Sequence, residues 1–208
     1  MVRTHSSRKL PILLGSMLLV AWSTSCLCTQ VRCGGGYPPP AFPVEELLLD
    51  ESTFPEGWHA HRDSYDPEDR LPAEQIALGL HINGCGPYSL GAGQYVYRFF
   101  DGAEEAATAY RTESALWFSA REGWGPWGTP PELPYESPVA DQFRLACCAD
   151  QTSSQRFCQA VGQYEEYVVL LDVDMNPEYP ECMDFNDLER IVAAVDDRMA
   201  SHLGKNTY

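Results

Sequence analysis

Residues 141–175 read DQFRLACCADQTSSQRFCQAVGQYEEYVVLLDVDM, and the organisation of the chain follows from how this stretch is paired. The segment 141–149 predicts a strand, 150–154 (DQTSS) a polar turn, 155–161 a returning strand and 167–175 a third strand rich in β-branched residues. A turn centred between residues 152 and 153 pairs positions whose numbers add to about 305, which sets Cys147 opposite Cys158. A register shift of one residue would put Cys148 there instead, on the other face of the sheet.

Upstream, residues 75–82 (QIALGLHI) place Ile76, Leu78, Leu80 and Ile82 on one side at a period of two, as a strand with one buried face requires. Residues 83–87 (NGCGP) interrupt it, and 94–100 (QYVYRFF) resumes as strand. An earlier strand is expected over 58–64 and a charged turn at 66–70. Asp101 with Glu104 predicts a capped helix whose inner face carries Ala103, Ala106, Ala107, Tyr110, Ser114, Trp117 and Phe118. Glycines and prolines then make 121–138 (REGWGPWGTPPELPYESP) a long irregular loop, with Trp124, Trp127 and Tyr135 as its candidate partner-binding residues. The competing expectation is that the tryptophans fold back over the sheet.

At the C-terminal end, Leu188, Ile191, Val192, Val195 and Met199 recur at helical spacing. Asn186 and Glu189 are the expected cap, Gly204 the stop, and Asp187, Glu189, Asp196, Asp197 and Arg198 the outward positions. The order of strands and helices predicts an α+β, two-layer domain. Its sheet is mainly antiparallel, of about five or six strands, with two amphipathic helices on one face.

The formal net charge is −16, and Lys9 and Lys205 are the only lysines. Such a surface repels nucleic-acid phosphates and anionic head groups, so nucleic acid is not an expected partner. Residues 1–9 carry Arg3, Arg8 and Lys9, and 10–22 (LPILLGSMLLVAW) form an apolar run of 13, too short for the roughly 20 residues of a membrane-spanning helix. This predicts a signal peptide at 1–25. Its removal takes away three cations and no acid, lowering −16 to −19. Residues 26–43, with Gly34–Gly36 and Pro38–Pro40, predict a tether, 44–204 a single domain and 205–208 a short tail.

Ser23-Thr24-Ser25-Cys26 resembles the lipobox of exported bacterial lipoproteins, which implies diacylation of Cys26. Ser23 and Ser25 also satisfy ordinary secretory cleavage, so lipid anchoring to the cell membrane and plain secretion both remain open. Leu47, Leu48 and Leu49 followed by Phe54-Pro55-Glu56-Gly57-Trp58 is similar to the opening of uncharacterised exported proteins with sensor-like extracytoplasmic domains. That resemblance implies export and brings no catalytic residue with it.

In an exported chain Cys85, Cys147, Cys148, Cys158 and Cys182 are disulfide candidates. The preferred pairing joins Cys147 or Cys148 to Cys158, and the other of the two to Cys85 or Cys182. One cysteine of the body is then left over unless it reaches Cys28 or Cys33. His59 and His61 alternate on one strand and His81 lies on another, a candidate metal set. Asp172, Asp174, Asn176 and Glu178 resemble the start of a calcium loop, but Pro177 and Met183 stand where an EF-hand needs glycine and glutamate. There is no G-x-S-x-G, HExxH, phosphate-loop or dinucleotide motif, and no cofactor is expected. The expected function is therefore that of a non-enzymatic, membrane-tethered extracytoplasmic domain, sensor-like or an envelope component. It would bind a protein or small-molecule ligand and touch the membrane only through its lipid anchor. The alternative is a secreted or lipid-anchored hydrolase, or a metal-binding protein with an unrecognised site.

Overall fold

The computed structural model describes residues 43–61 and 73–205. The expected signal peptide, Cys26, Cys28, Cys33, nearly all of the tether, the charged turn at 66–70 and the last three residues of the tail lie outside the described residues. The side chain of His61 does too.

The elements are β1 (His59–His61), β2 (Ala73–Cys85), β3 (Tyr88–Phe99), α1 (Ala103–Trp117), β4 (Gln142–Ala149), β5 (Arg156–Tyr164), β6 (Tyr167–Met175) and α2 (Phe185–Leu203). Two short 3-10 helices, Val44–Leu47 and Glu51–Thr53, precede them. The strands form one antiparallel six-stranded sheet in the order β1-β2-β3-β6-β5-β4, so the α+β class and the mainly antiparallel sheet are as expected. Cys147 faces Cys158 in the β4–β5 register, as the turn arithmetic requires. The β5–β6 hairpin turns on Glu165, whose φ of 53° supplies the left-handed residue of a tight connection.

The helices lie on opposite faces, which corrects the expectation that both share one. Val169, Leu171 and Val173 of β6 point into a large core with α2 and the N-terminal 3-10 segment, while Val168 and Leu170 point into a smaller one with Ala106 and Ala109 of α1. The physical reason is the unbroken apolar run 168–171. A strand apolar at every position buries both faces, and each needs a cover. Ile76, Leu78, Leu80 and Ile82 do share the α2 side, as their alternation predicts.

Helix ends differ in detail from the sequence expectation. The N-cap of α1 is Gly102, and Glu105 reaches back to accept the Asp101 N–H at 3.2 Å. The cap of α2 is a box formed by Asp184 and Asp187 rather than by Asn186 and Glu189, and Gly204 ends the helix at φ 65°. Asp196, expected outside, is only 2% exposed. Its carboxylate accepts hydrogen bonds from Tyr135 (2.6 Å), Ser137 (2.7 Å) and Tyr164 (2.7 Å), which compensate its burial. Gln94 is fully buried and ties the sheet to the N-terminal segment. Its Oε1 accepts the Leu49 N–H at 2.8 Å, and its Nε2 donates to the Leu47 carbonyl at 3.2 Å.

Two disulfides are present. Cys147–Cys158 closes the hairpin, as preferred. Cys85 and Cys182 bond to each other, and Cys148 keeps a buried free thiol, so the second expected pairing is corrected. Cys148 projects to the α1 side, whereas Cys85 and Cys182 are both in the α2-side core, so the sheet itself separates them.

Candidate functional site

The long loop between α1 and β4 touches both faces of the sheet, through Trp127 on one and Tyr135 on the other. It approaches the outer edge of β4 in antiparallel bridges, Trp124 with Asp150 and Gly128 with Cys147, the latter exchanging two main-chain hydrogen bonds of 2.9 and 3.0 Å. Half of an exposed strand edge is thereby covered, which removes a template for unwanted pairing.

The tryptophans pack inward on the α1 side. Trp127 donates its indole N–H to the Ser119 carbonyl at 2.8 Å and meets Phe118 and Phe157 edge-on at 5.2 and 6.0 Å between centroids. Trp124 lies 6.1 Å from Phe157, and the Arg121 guanidinium sits over both rings, 5.3 Å from Trp124 and 4.3 Å from Phe157. Tyr135 belongs to the opposite face, where it packs on Phe143 at 5.7 Å and bonds to Asp196. Trp124 and Trp127 are thus brought together, and Tyr135 is kept apart from them by the sheet.

Beyond Gly128 the loop bows away from β4 and borders a half-open slot of about 450 Å³. It is lined by Thr129, residues 134–137 and residues 140–145. Because Cys147 turns its N–H and C=O outward to Gly128, Leu145 and Phe143, two and four residues earlier, turn theirs outward as well. Among the described residues neither pair of groups has a partner. Pro130 and Pro131 bring no N–H with which the loop could continue the ladder.

A second polar cluster lies on the α1 side of the sheet. Asp172 and Asp174 project from β6, and Gly93 opposes Asp172 in register. A Cβ on Gly93 would come within 2.5 Å of Asp172 Oδ1, so glycine is what makes room for that carboxylate. Burial, reinforced by Asp174, pushes the Asp172 carboxyl up to about 7 against the pull of Arg121. Burial also raises Asp174, which accepts the Gly91 N–H at 3.1 Å. Asp172 Oδ1 and the Oε1 of its neighbour Gln159 are buried without a hydrogen-bond partner among the described residues. Gln159 also lines an open recess of about 250 Å³ with Trp117, Ser119, Arg121 and Phe157.

His59 and His81 are cross-strand neighbours, with ring centroids 6.3 Å apart, and His61 is in register with Gly79. Gly91 on β3 separates His81 from Asp174, and strands are spaced about 4.8 Å, so His81 stands some 10 Å from Asp174 across the sheet and His59 one strand farther. Among the described residues no three His, Cys, Asp or Glu side chains gather to hold a metal ion. Asn176 serves a turn instead, its Oδ1 accepting from Glu178 N–H and Ser154 Oγ at 3.0 Å each. Burial pushes the Cys148 thiol up, away from a nucleophilic thiolate.

The slot was missed in the sequence, where the available signal was the proline pair following Gly128. Asp172 was singled out as part of a calcium-like run, but its burial opposite Gly93 was not foreseen, since the cross-strand partner is set by the sheet register.

No protein-family model matches the chain, and no curated protein matches it. Among solved structures, the chain is similar to the extracellular domain of PknH from Mycobacterium tuberculosis, at 14% identity and a TM-score of 0.44, over 80% of this chain and 100% of that one.

Proposed function

We propose that this is a non-enzymatic extracytoplasmic binding domain, held at the membrane through Cys26 or secreted, whose contact surface is the slot framed by the 121–138 loop and β4. The observation that carries the reading is the slot itself: about 450 Å³ of space beside a strand edge whose Phe143 and Leu145 main-chain groups are unpartnered among the described residues. An unpaired edge at a concave surface is where binding domains recruit partners. The two disulfides support a location where thiols are oxidised. Trp124 and Trp127 contribute by packing the loop onto Phe157.

Site-directed photo-crosslinking in cells tests this. A photoreactive side chain at Glu136 is expected to give a discrete adduct that disappears when Thr129→Trp fills the slot from its exposed rim, while the same probe at Glu104 on α1 gives none. Equal labelling from both positions, or adducts indifferent to Thr129→Trp, would place the contact surface elsewhere. A second reading, a small-molecule or hydrolytic site on the α1 side, is favoured by one observation: a buried carboxyl at about 7 beside the recess under Trp117.

A further inference from the structure

The slot beside β4 has the chemistry of a missing strand, an inference that rests on the binding reading above. The chain already shows that this edge accepts a partner, since Gly128 and Trp124 pair with it antiparallel. Where the loop departs, the outward N–H and C=O of Phe143 and of Leu145 continue the same ladder with nothing opposite them among the described residues. Two residues of an extended chain, spaced two apart, would complete it. A second copy of the sheet is disfavoured at this position, because strand pairing needs an approach of about 4.8 Å and Thr129 and residues 134–137 of the loop border the same edge. A lone extended segment fits in the slot.

The lining narrows the chemistry of that segment. Toward the α2 side the wall is Tyr135 against Phe143, an apolar contact for one side chain. The rim bears Glu136 and Asp141, the latter already accepting the Glu165 N–H at 2.7 Å and facing Lys205 at 3.6 Å, so Glu136 is the rim acid that offers its charge; Arg144, also in the lining, stacks its guanidinium over the Phe118 ring at 4.0 Å. With a chain charge of −16 behind it, the mouth favours a basic occupant. We propose that a basic, extended peptide segment of a partner adds to β4 as a further strand, hydrogen-bonding the main chain of Phe143 and Leu145 and placing an apolar side chain against Tyr135 and Phe143. Main-chain bonds supply the affinity, and the alternating side chains supply the specificity.

The test uses a random heptapeptide library selected on the folded protein and counter-selected on Thr129→Trp. Enriched peptides are expected to alternate apolar and polar residues, carry lysine or arginine, and lack proline at the pairing positions. On binding, the Phe143 and Leu145 amides should gain at least about tenfold protection from hydrogen exchange. N-methylation of the pairing amides of the peptide should cost about tenfold in affinity, as loss of a main-chain hydrogen bond demands. Selected peptides that bind equally well when N-methylated, or that leave both amides unprotected, would overturn strand addition and leave the slot as a binding surface of another kind. A selection that yields no binder sensitive to Thr129→Trp would overturn strand addition, and the slot reading then stands or falls on the crosslinking result.

Discussion

Asp172 and Asp196 are both acids on buried faces, yet their surroundings treat them differently. Asp196 receives three hydroxyl donors at 2.6–2.7 Å, which fasten the loop residues Tyr135 and Ser137 and the strand residue Tyr164 to α2. Asp172 Oδ1 has no hydrogen-bond partner among the described residues, and its carboxyl rises from 3.8 to about 7. Between pH 4 and 7 the folded chain therefore holds a proton that the unfolded chain has released, so this group destabilises progressively as pH rises through that window. Asp50, Asp150 and Asp184 are shifted the other way, and their contribution is lost only at more acidic pH. Urea unfolding at pH 5 and pH 8 should show that Asp172 costs the wild type roughly 2.5 kcal/mol more at the higher pH. In Asp172→Asn that part of the pH dependence should vanish. An unchanged pH profile in the variant would mean that Asp172 is ionised and satisfied in the folded protein.

Among the elements, the β4–β5 hairpin and its disulfide were legible in the sequence because a hairpin is local: the turn composition sets the register, and the register sets Cys147 against Cys158. Cys85–Cys182 was not, since its partners are 97 residues apart and only the docking of the β2–β3 hairpin against the approach to α2 brings them together. Chain-entropy arguments then rank the two. A crosslink over 97 residues restrains the unfolded chain by about 4.7 kcal/mol, and one over 11 residues by about 2.8 kcal/mol. Cys85→Ser with Cys182→Ser should lower the urea midpoint further than Cys147→Ser with Cys158→Ser. The reverse order would show that the hairpin bridge does more than restrain the unfolded chain. The helix caps were missed for a related reason. Several Asx residues crowd residues 184–187, and which of them starts the helix depends on where tertiary packing begins its first turn.

At the scale of the whole molecule, charge and anchoring belong together. A net charge of −16 repels anionic head groups, so attachment through a lipidated Cys26, as proposed, is expected to depend on the acyl chains alone. Cys26→Ala should then move the protein wholly from the membrane fraction to the soluble one at any salt concentration. A variant that stayed with the membrane would point to another anchor.

What the sequence by itself determined is what local chemistry controls: the order of six strands and two helices, the hairpin register, the α2 apolar stripe and the net negative charge. Periodicity and turn composition act over a few residues, and they report these features directly. The tertiary structure alone decided that the helices take opposite faces, that Trp124 and Tyr135 are divided by the sheet, that Asp196 is inside, and that the loop leaves Phe143 and Leu145 facing a slot. Each depends on which surfaces meet across a long separation in the chain, and residues that far apart leave no mark on one another's local pattern.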